Sequence, residues 1–247
     1  MEKLLELLEQ DCVISLSKMK THALERITGA VKNSYGFIYG FHKAKGHTQY
    51  PSADSFARML IDLNKCVAPK LYVMDGIVAM EGNGPGSGDP VPMNVLLMST
   101  DPVALDSVFS RLVYLKPEMV PTNYHGEKMG LGTWKEEEIT LLTPDGEISM
   151  AEAVKKYGNP AFNVDRTEVR KNIWTRMAGA LNIFQKKPYI EADKCVRCGI
   201  CVQSCPVPGK AVDFRKGKGK PPVYDYRKCI RCFCCQEMCP KKAIKVK

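Results

Sequence analysis

"CIRCFCCQEMCP" occupies residues 229–240, and "CVRCGICVQSCP" occupies residues 195–206. Each stretch has the spacing Cys-x2-Cys-x2-Cys-x3-Cys-Pro, and together they hold nine of the chain's eleven cysteines. Zinc sites with four cysteines usually combine two Cys-x2-Cys pairs across a longer loop, so this pattern does not favour zinc. A disulfide framework would need an oxidising compartment, and "MEKLLELLEQ" at 1–10 is typical of an amphipathic helix and not of a secretion signal. The spacing predicts thiolate ligands for iron–sulfur cubanes.

Residues 188–247 resemble the bacterial two-[4Fe-4S] ferredoxin family. "PYIEADKC" precedes the first row and "PVYDYRKC" the second, while "KAVDF" and "KAIKV" follow them. The resemblance implies a small α+β domain with pseudo-two-fold symmetry, in which the fourth cysteine of each row completes the cubane of the other row. It therefore assigns two [4Fe-4S] clusters, one to Cys195, Cys198, Cys201 and Cys239, and the other to Cys229, Cys232, Cys235 and Cys205.

Cys234 is the surplus thiol of the second row. It directly precedes the ligand Cys235, so the two side chains point in different directions. We expect a small buried residue packed near the cluster. The alternative is a substitute ligand or a redox-active thiol.

Charge also separates the two ends of the chain. Residues 186–247 carry 16 Lys/Arg and 5 Asp/Glu, a net +11, whereas the preceding residues carry 20 and 22, a net −2. Lysines and arginines next to the ligands, such as Lys194, Arg197, Lys228 and Arg231, compensate the negative charge of a cubane. They also suggest docking to an acidic redox partner protein. Nucleic-acid binding is disfavoured, since no sequence-reading motif accompanies the basic residues.

The larger part of the chain alternates strand and helix patterns. "DCVISLS" at 11–17 reads as a short buried strand, and "KLYVMDGIVAM" and "MNVLLMST" as further strands. Helices are predicted over 52–67, which begins with a cap signal, and from Asp101 with Pro102 at the first position. This alternation predicts an α/β domain with a largely parallel sheet. Cys12 and Cys66 lie in apolar segments and are expected in its core.

Two groups of polar residues in this domain are candidate sites. Lys18, Lys20 and His22 alternate along one strand, so they can face one point and bind a carboxylate or phosphate, with His22 transferring a proton. The alternative is surface lysines and a capping histidine. The glycine-rich "EGNGPGSGDP" at 81–90 matches neither a dinucleotide nor a Walker motif. It is either a flexible surface connection or a loop over an anionic or carbonyl ligand, with Asp75 and Glu81 as acid/base or metal-binding groups.

"LSKMKTHALERITGAVKNSYG", "DGIVAMEGNGPGSGDP" and "STDPVALDSVFSRL" resemble the DUF362 family, which is often joined to a ferredoxin module. The resemblance supplies no agreed substrate. From residue chemistry we place a weak candidate site at Lys20, His22, Asn33, Asp75, Glu81 and Asp106. Family members usually carry a long segment before the lysine–histidine motif, which begins here near residue 18, so we expect an N-terminally truncated domain.

The predicted organisation is a DUF362-like domain at 1–160, a helical linker at 161–187 and a ferredoxin domain at 188–247. Apolar runs such as "NVLLM" at 94–98 are too short to span a bilayer, and we expect a cytoplasmic protein. The favoured function is electron transfer to a partner or to the α/β domain. The alternatives are a redox enzyme acting on a small anionic substrate, which leaves enzymatic activity open, and a cluster-stabilised regulatory or nucleic-acid-binding protein.

Overall fold

The computed structural model describes residues 6, 8–38, 41–86, 88–168 and 187–246, except for the side chains of 41, 42, 44 and 45. The chain divides into two compact units, residues 1–165 and 166–247. Most of the helix expected within 161–187 lies outside the described residues. Phe162 and Val164, at the start of that predicted linker, are buried in the core of the first unit.

A four-stranded mixed sheet organises the first unit. Its strands are β1 (Ile14–His22), β2 (Arg26–Thr28), β3 (Leu71–Glu81) and β4 (Asp89–Ser99), in the order β2-β1-β3-β4. The central pair, β1 and β3, is parallel, while β2 and β4 run antiparallel to their neighbours. The α/β class is therefore confirmed, but parallel pairing is confined to the centre of the sheet. Short loops join β1 to β2 and β3 to β4, and loops of this length can connect only antiparallel neighbours.

Local capping signals fix the two main helices of this unit. Helix α3 (Ala53–Val67) begins with a capping box between Ser52 and Ser55. Helix α4 (Pro102–Leu112) begins with Asp101, whose carboxylate accepts the N–H groups of Val103 and Ala104. The remaining elements of the unit are α1 (Ala30–Asn33), α2 (Phe41–Gln49), α5 (Pro121–Lys128), β5 (Leu141–Thr143), β6 (Gly146–Ile148) and α6 (Met150–Tyr157).

The two faces of the sheet differ in burial. Met19 of β1 and Met74 of β3 are fully buried in the same core as Phe109 of α4. On the opposite face Leu16 is 71% exposed and Met98 is 63% exposed. The segment predicted as a buried strand over 11–17 is thus the start of a longer, half-exposed strand.

The prediction that Cys12 and Cys66 lie in the core is wrong, since both are exposed. Cys12 precedes β1, and Cys66 lies on the outer side of α3.

The described residues of the second unit form two small antiparallel sheets and two short helices. Strand β7 (Pro188–Ile190) pairs with β10 (Ile244–Val246), and β8 (Val212–Asp213) pairs with β9 (Val223–Tyr224). Helix α7 (Ile200–Gln203) begins within the first cysteine row and α8 (Cys234–Glu237) within the second. The strand before each cysteine row therefore pairs with the strand that follows the other row.

Candidate iron–sulfur centres and a buried polar cluster

One cavity of the second unit brings together cysteines from both rows. It is lined by Cys195, Cys198, Cys201 and Cys239. Three of these come from the first row and one from the second. Ile190, Arg197 and Lys241 also line it.

A second cavity has the complementary set. Its cysteines are Cys205, Cys229, Cys232 and Cys235. Tyr224 and Phe233 complete its wall, and none of the described residues lining it is Lys, Arg, Asp or Glu.

Each cavity has the donors that a cubane requires, because four cysteines line it. Among the described residues, no three His, Cys, Asp or Glu side chains are grouped to hold a single metal ion. The residues present fit [4Fe-4S] clusters, which would supply one-electron redox chemistry when bound.

Repeated backbone conformations shape the two cysteine loops. Arg197 and Arg231 each directly precede the second cysteine of their row, and their φ angles are 58° and 57°. The residue before each short helix is also left-handed, namely Gly199 in the first row and Phe233 in the second. These turns allow three cysteines at a spacing of three to face one cavity. Pseudo-two-fold symmetry of the whole unit remains a prediction.

Backbone amides support the fourth cysteine of each row. The N–H of Ala211 donates to Cys205 Sγ, and the N–H of Ala243 donates to Cys239 Sγ, both at 3.3 Å. Hydrogen bonds of this kind stabilise negative charge on a thiolate.

Two buried thiols, Cys201 and Cys235, are protonated at neutral pH in the cluster-free chain. Burial is the main cause that raises the pKa of Cys201 to about 11 and that of Cys235 to about 12, and the neighbouring cysteines contribute to both increases. Binding of iron therefore displaces protons from these groups.

Cys234 does not line the second cavity, unlike the other cysteines of its row from Cys229 to Cys235. It is buried. A hydrogen bond between Cys234 and Cys232 is the main reason why the pKa of Cys234 is raised, and the same bond lowers the pKa of Cys232. Cys234 is placed to donate its S–H to a ligand.

In the first unit, Lys18 has a different partner from Lys20 and His22, with which it was predicted to form one site. Lys18 Nζ lies 2.5 Å from Asp75 Oδ2 on the exposed face of the sheet. The β1–β3 register shifts between Lys18 and Lys20, at a bulge where Asp75 also accepts the N–H of Ile77. The lysine pairing lowers the pKa of Asp75. The candidate carboxylates Asp75 and Glu81 have different partners, since Asp75 pairs with Lys18 and Glu81 accepts the N–H of Asn163.

His22 instead lies in a buried polar cluster. Its Nδ1 accepts the N–H groups of Leu24 and Glu25 at 3.2 and 3.1 Å, so a neutral ring carries its proton on Nε2. Burial and then the positive charges of Lys32, His47 and Lys20 hold its pKa well below the usual value. Lys20 and His22 are thus brought together, apart from Lys18.

Glu25 is the member of this buried polar cluster that the sequence did not single out. It is 0% exposed, and among the described residues neither carboxylate oxygen has a hydrogen-bond partner. Burial raises its pKa well above the usual value, while Lys32 acts in the opposite direction. Its position three residues after His22 was the only available signal, and that spacing does not reveal burial.

The other candidates of this unit have local structural contacts. Asp106 accepts the N–H groups of Ala30 and Val31, and Asn33 donates to the carbonyl of Leu16. Glu81 accepts the N–H of Asn163 at 2.8 Å. Thr21 donates to the carbonyl of Gly82, so the described part of the glycine loop is held against the end of β1.

The second unit, which follows the α/β unit in the chain, has two cavities that are each lined by four cysteines, an arrangement typical of iron–sulfur domains. The family model described as "4Fe-4S dicluster domain" matches residues 187–240, and "Domain of unknown function (DUF362)" matches residues 4–111. The chain contains both domains.

A thylakoid-associated protein of Synechocystis sp. (strain ATCC 27184 / PCC 6803 / Kazusa) is 41% identical over 127 residues. The match spans 51% of this chain and 40% of that protein. No solved structure matches the chain. Among the described residues, no helix is long and apolar enough to cross a membrane.

Proposed function

We propose that this protein transfers electrons through two [4Fe-4S] clusters. The observation that carries the proposal is the division of eight cysteines between two cavities, three from one row and one from the other in each case. Clusters at these positions would accept and release single electrons, and the loop amides would stabilise their negative charge.

Anaerobic reconstitution of the full chain tests this proposal. We expect about eight iron and eight sulfide per chain and reducible [4Fe-4S] signals in EPR spectra. Colourless protein, bound zinc, or iron near one atom per chain would refute it.

The proposed electron partner is an acidic redox protein. The support is the net charge of +11 over residues 186–247. Complexes captured anaerobically on the immobilised protein should dissociate as salt rises, because screening weakens attraction between opposite charges. Capture that is insensitive to salt would argue against charge-guided docking.

A redox enzyme acting on a small anionic substrate is the second candidate. The supporting observation is the buried polar cluster, where Glu25 lacks a partner and Lys20 and Lys32 contribute positive charge near His22. Inorganic phosphate or acetate should raise the thermal stability of the wild-type chain and not that of Lys20→Ala. Equal responses in both chains would remove this candidate.

A cytoplasmic location is also a proposal. The relative named above is associated with thylakoids, so fractionation of cells into soluble and membrane material is the appropriate test.

A further inference from the structure

The walls of the two cavities differ in the strand residue that precedes each cysteine row. When "PYIEADKC" is aligned with "PVYDYRKC" on the final cysteine, Ile190 corresponds to Tyr224. Ile190 lines the first cavity and Tyr224 lines the second. An isoleucine side chain has no hydrogen-bond donor, whereas tyrosine carries a hydroxyl.

The hydroxyl of Tyr224 reaches a predicted ligand. It donates to Cys235 Sγ at 3.1 Å. The ring of Tyr226 stacks on that of Tyr224, with 5.6 Å between centroids and 14° between planes, and the Tyr226 hydroxyl donates to the carbonyl of Pro188. This stacking fixes the ring that presents the donor to the sulfur.

From this difference we infer that Tyr224 raises the reduction potential of the cluster held by Cys205, Cys229, Cys232 and Cys235. Among the described residues that line the first cavity, none carries a hydroxyl group. Reduction adds one electron and increases negative charge on the cysteine sulfurs. A hydroxyl donor stabilises the more negative state more strongly, so its presence favours reduction. No covalent bond forms or breaks, and the hydroxyl keeps its proton.

Charge acts separately on the first cluster site. Arg197 and Lys241 line that cavity and also favour the reduced state there. The hydroxyl therefore affects the potential of the second cluster only, and the order of the two potentials also depends on the charges near the first. It rests on the proposed function, since it requires that both clusters are present.

The test is a potentiometric EPR titration of reconstituted full-length chain, with dithionite as the reductant. Tyr224→Phe keeps the ring and removes the hydroxyl, and Tyr224→Ile copies the residue of the first loop. Tyr226→Phe is the matched control, because it removes a hydroxyl that contacts a carbonyl and not a sulfur. Iron and sulfide are counted in every sample before titration.

We expect both Tyr224 variants to lower one midpoint potential and leave the other unchanged, and Tyr226→Phe to change neither. Unchanged potentials with full iron content, or equal shifts of both clusters, would overturn the inference. Loss of one cluster in both Tyr224 variants, with retention in Tyr226→Phe, would also overturn it by assigning Tyr224 a structural role. Wild-type protein without eight irons would instead refute the proposed function.

Discussion

The role of Cys234 can be tested by comparing its loss with the loss of the neighbouring cysteine Cys232. Because it is buried outside the second cavity and faces Cys232, it should support a ligand without binding iron itself. We predict that Cys234→Ala retains about eight irons per chain, the content of two cubanes. Cys232→Ala, the matched control, should lose iron from one cluster. Iron analysis after anaerobic reconstitution measures both, and loss of half the iron in Cys234→Ala would identify it as a ligand.

Glu25 should make the stability of the first unit depend on pH. Its pKa is raised by burial, so the folded chain holds a proton that the unfolded chain releases above its ordinary pKa of 4.5. The resulting stability is present below that value and is lost as pH rises towards the folded pKa. Glu25→Gln removes this loss, and its advantage over wild type should grow by about 1 kcal/mol or more between pH 5 and pH 8.

Anaerobic urea unfolding of the cluster-loaded chain measures this difference. A Trp174→Phe background leaves Trp134, which packs against the core of the first unit, as the fluorescent reporter. Glu147→Gln, an exposed position on β6, serves as the control and should show no pH-dependent advantage. A difference between Glu25→Gln and wild type that stays constant with pH would contradict the prediction.

At the scale of elements, Asp106 joins α4 to the start of α1. Its buried carboxylate accepts the N–H groups of Ala30 at 2.5 Å and Val31 at 3.1 Å. Asp106→Ala should lower the free energy of unfolding by about 2 to 4 kcal/mol, because each buried N–H left unpaired costs about 1–3 kcal/mol. Gly29→Ala should also destabilise, since its added carbon would lie 1.8 Å from Asp106 Oδ1.

The same urea assay, with Trp134 as reporter, checks this contact. Asp62→Ala removes an exposed carboxylate from α3 and should change stability by less than about 0.5 kcal/mol. If Asp106→Ala behaved like Asp62→Ala, the contact would not contribute measurably to folding.

The starts of α3 and α4 were predictable because their capping residues are neighbours in sequence. The sheet was less predictable, since strand direction depends on pairing between residues far apart in the chain. Lys18 shows this limit: its alternation with Lys20 and His22 was visible, but the bulge and the pairing with Asp75 arise from β3. Glu25 was missed because burial by other elements leaves no trace in local spacing.

At the scale of the whole chain, the ligand sets can be tested by pairs of substitutions that either share a cavity or divide between cavities. Cys205 and Cys229 line the second cavity, whereas Cys195 lines the first. In the crossed arrangement, Cys205→Ser with Cys229→Ser damages one site and should leave about four irons per chain. Cys205→Ser with Cys195→Ser damages both sites and should leave fewer.

The uncrossed arrangement reverses these expectations, because Cys195 and Cys205 belong to the same row. Each cubane would then need all four cysteines of its own row, and the Cys195/Cys205 pair would be the one that retains an intact cluster. Iron and sulfide analysis, with EPR of the dithionite-reduced proteins, distinguishes the two orders. The single variants Cys205→Ser and Cys195→Ser provide the reference, since each damages one site under either arrangement. The iron content of each double variant is therefore compared with that of the single variants, which show how far each site tolerates the loss of one ligand.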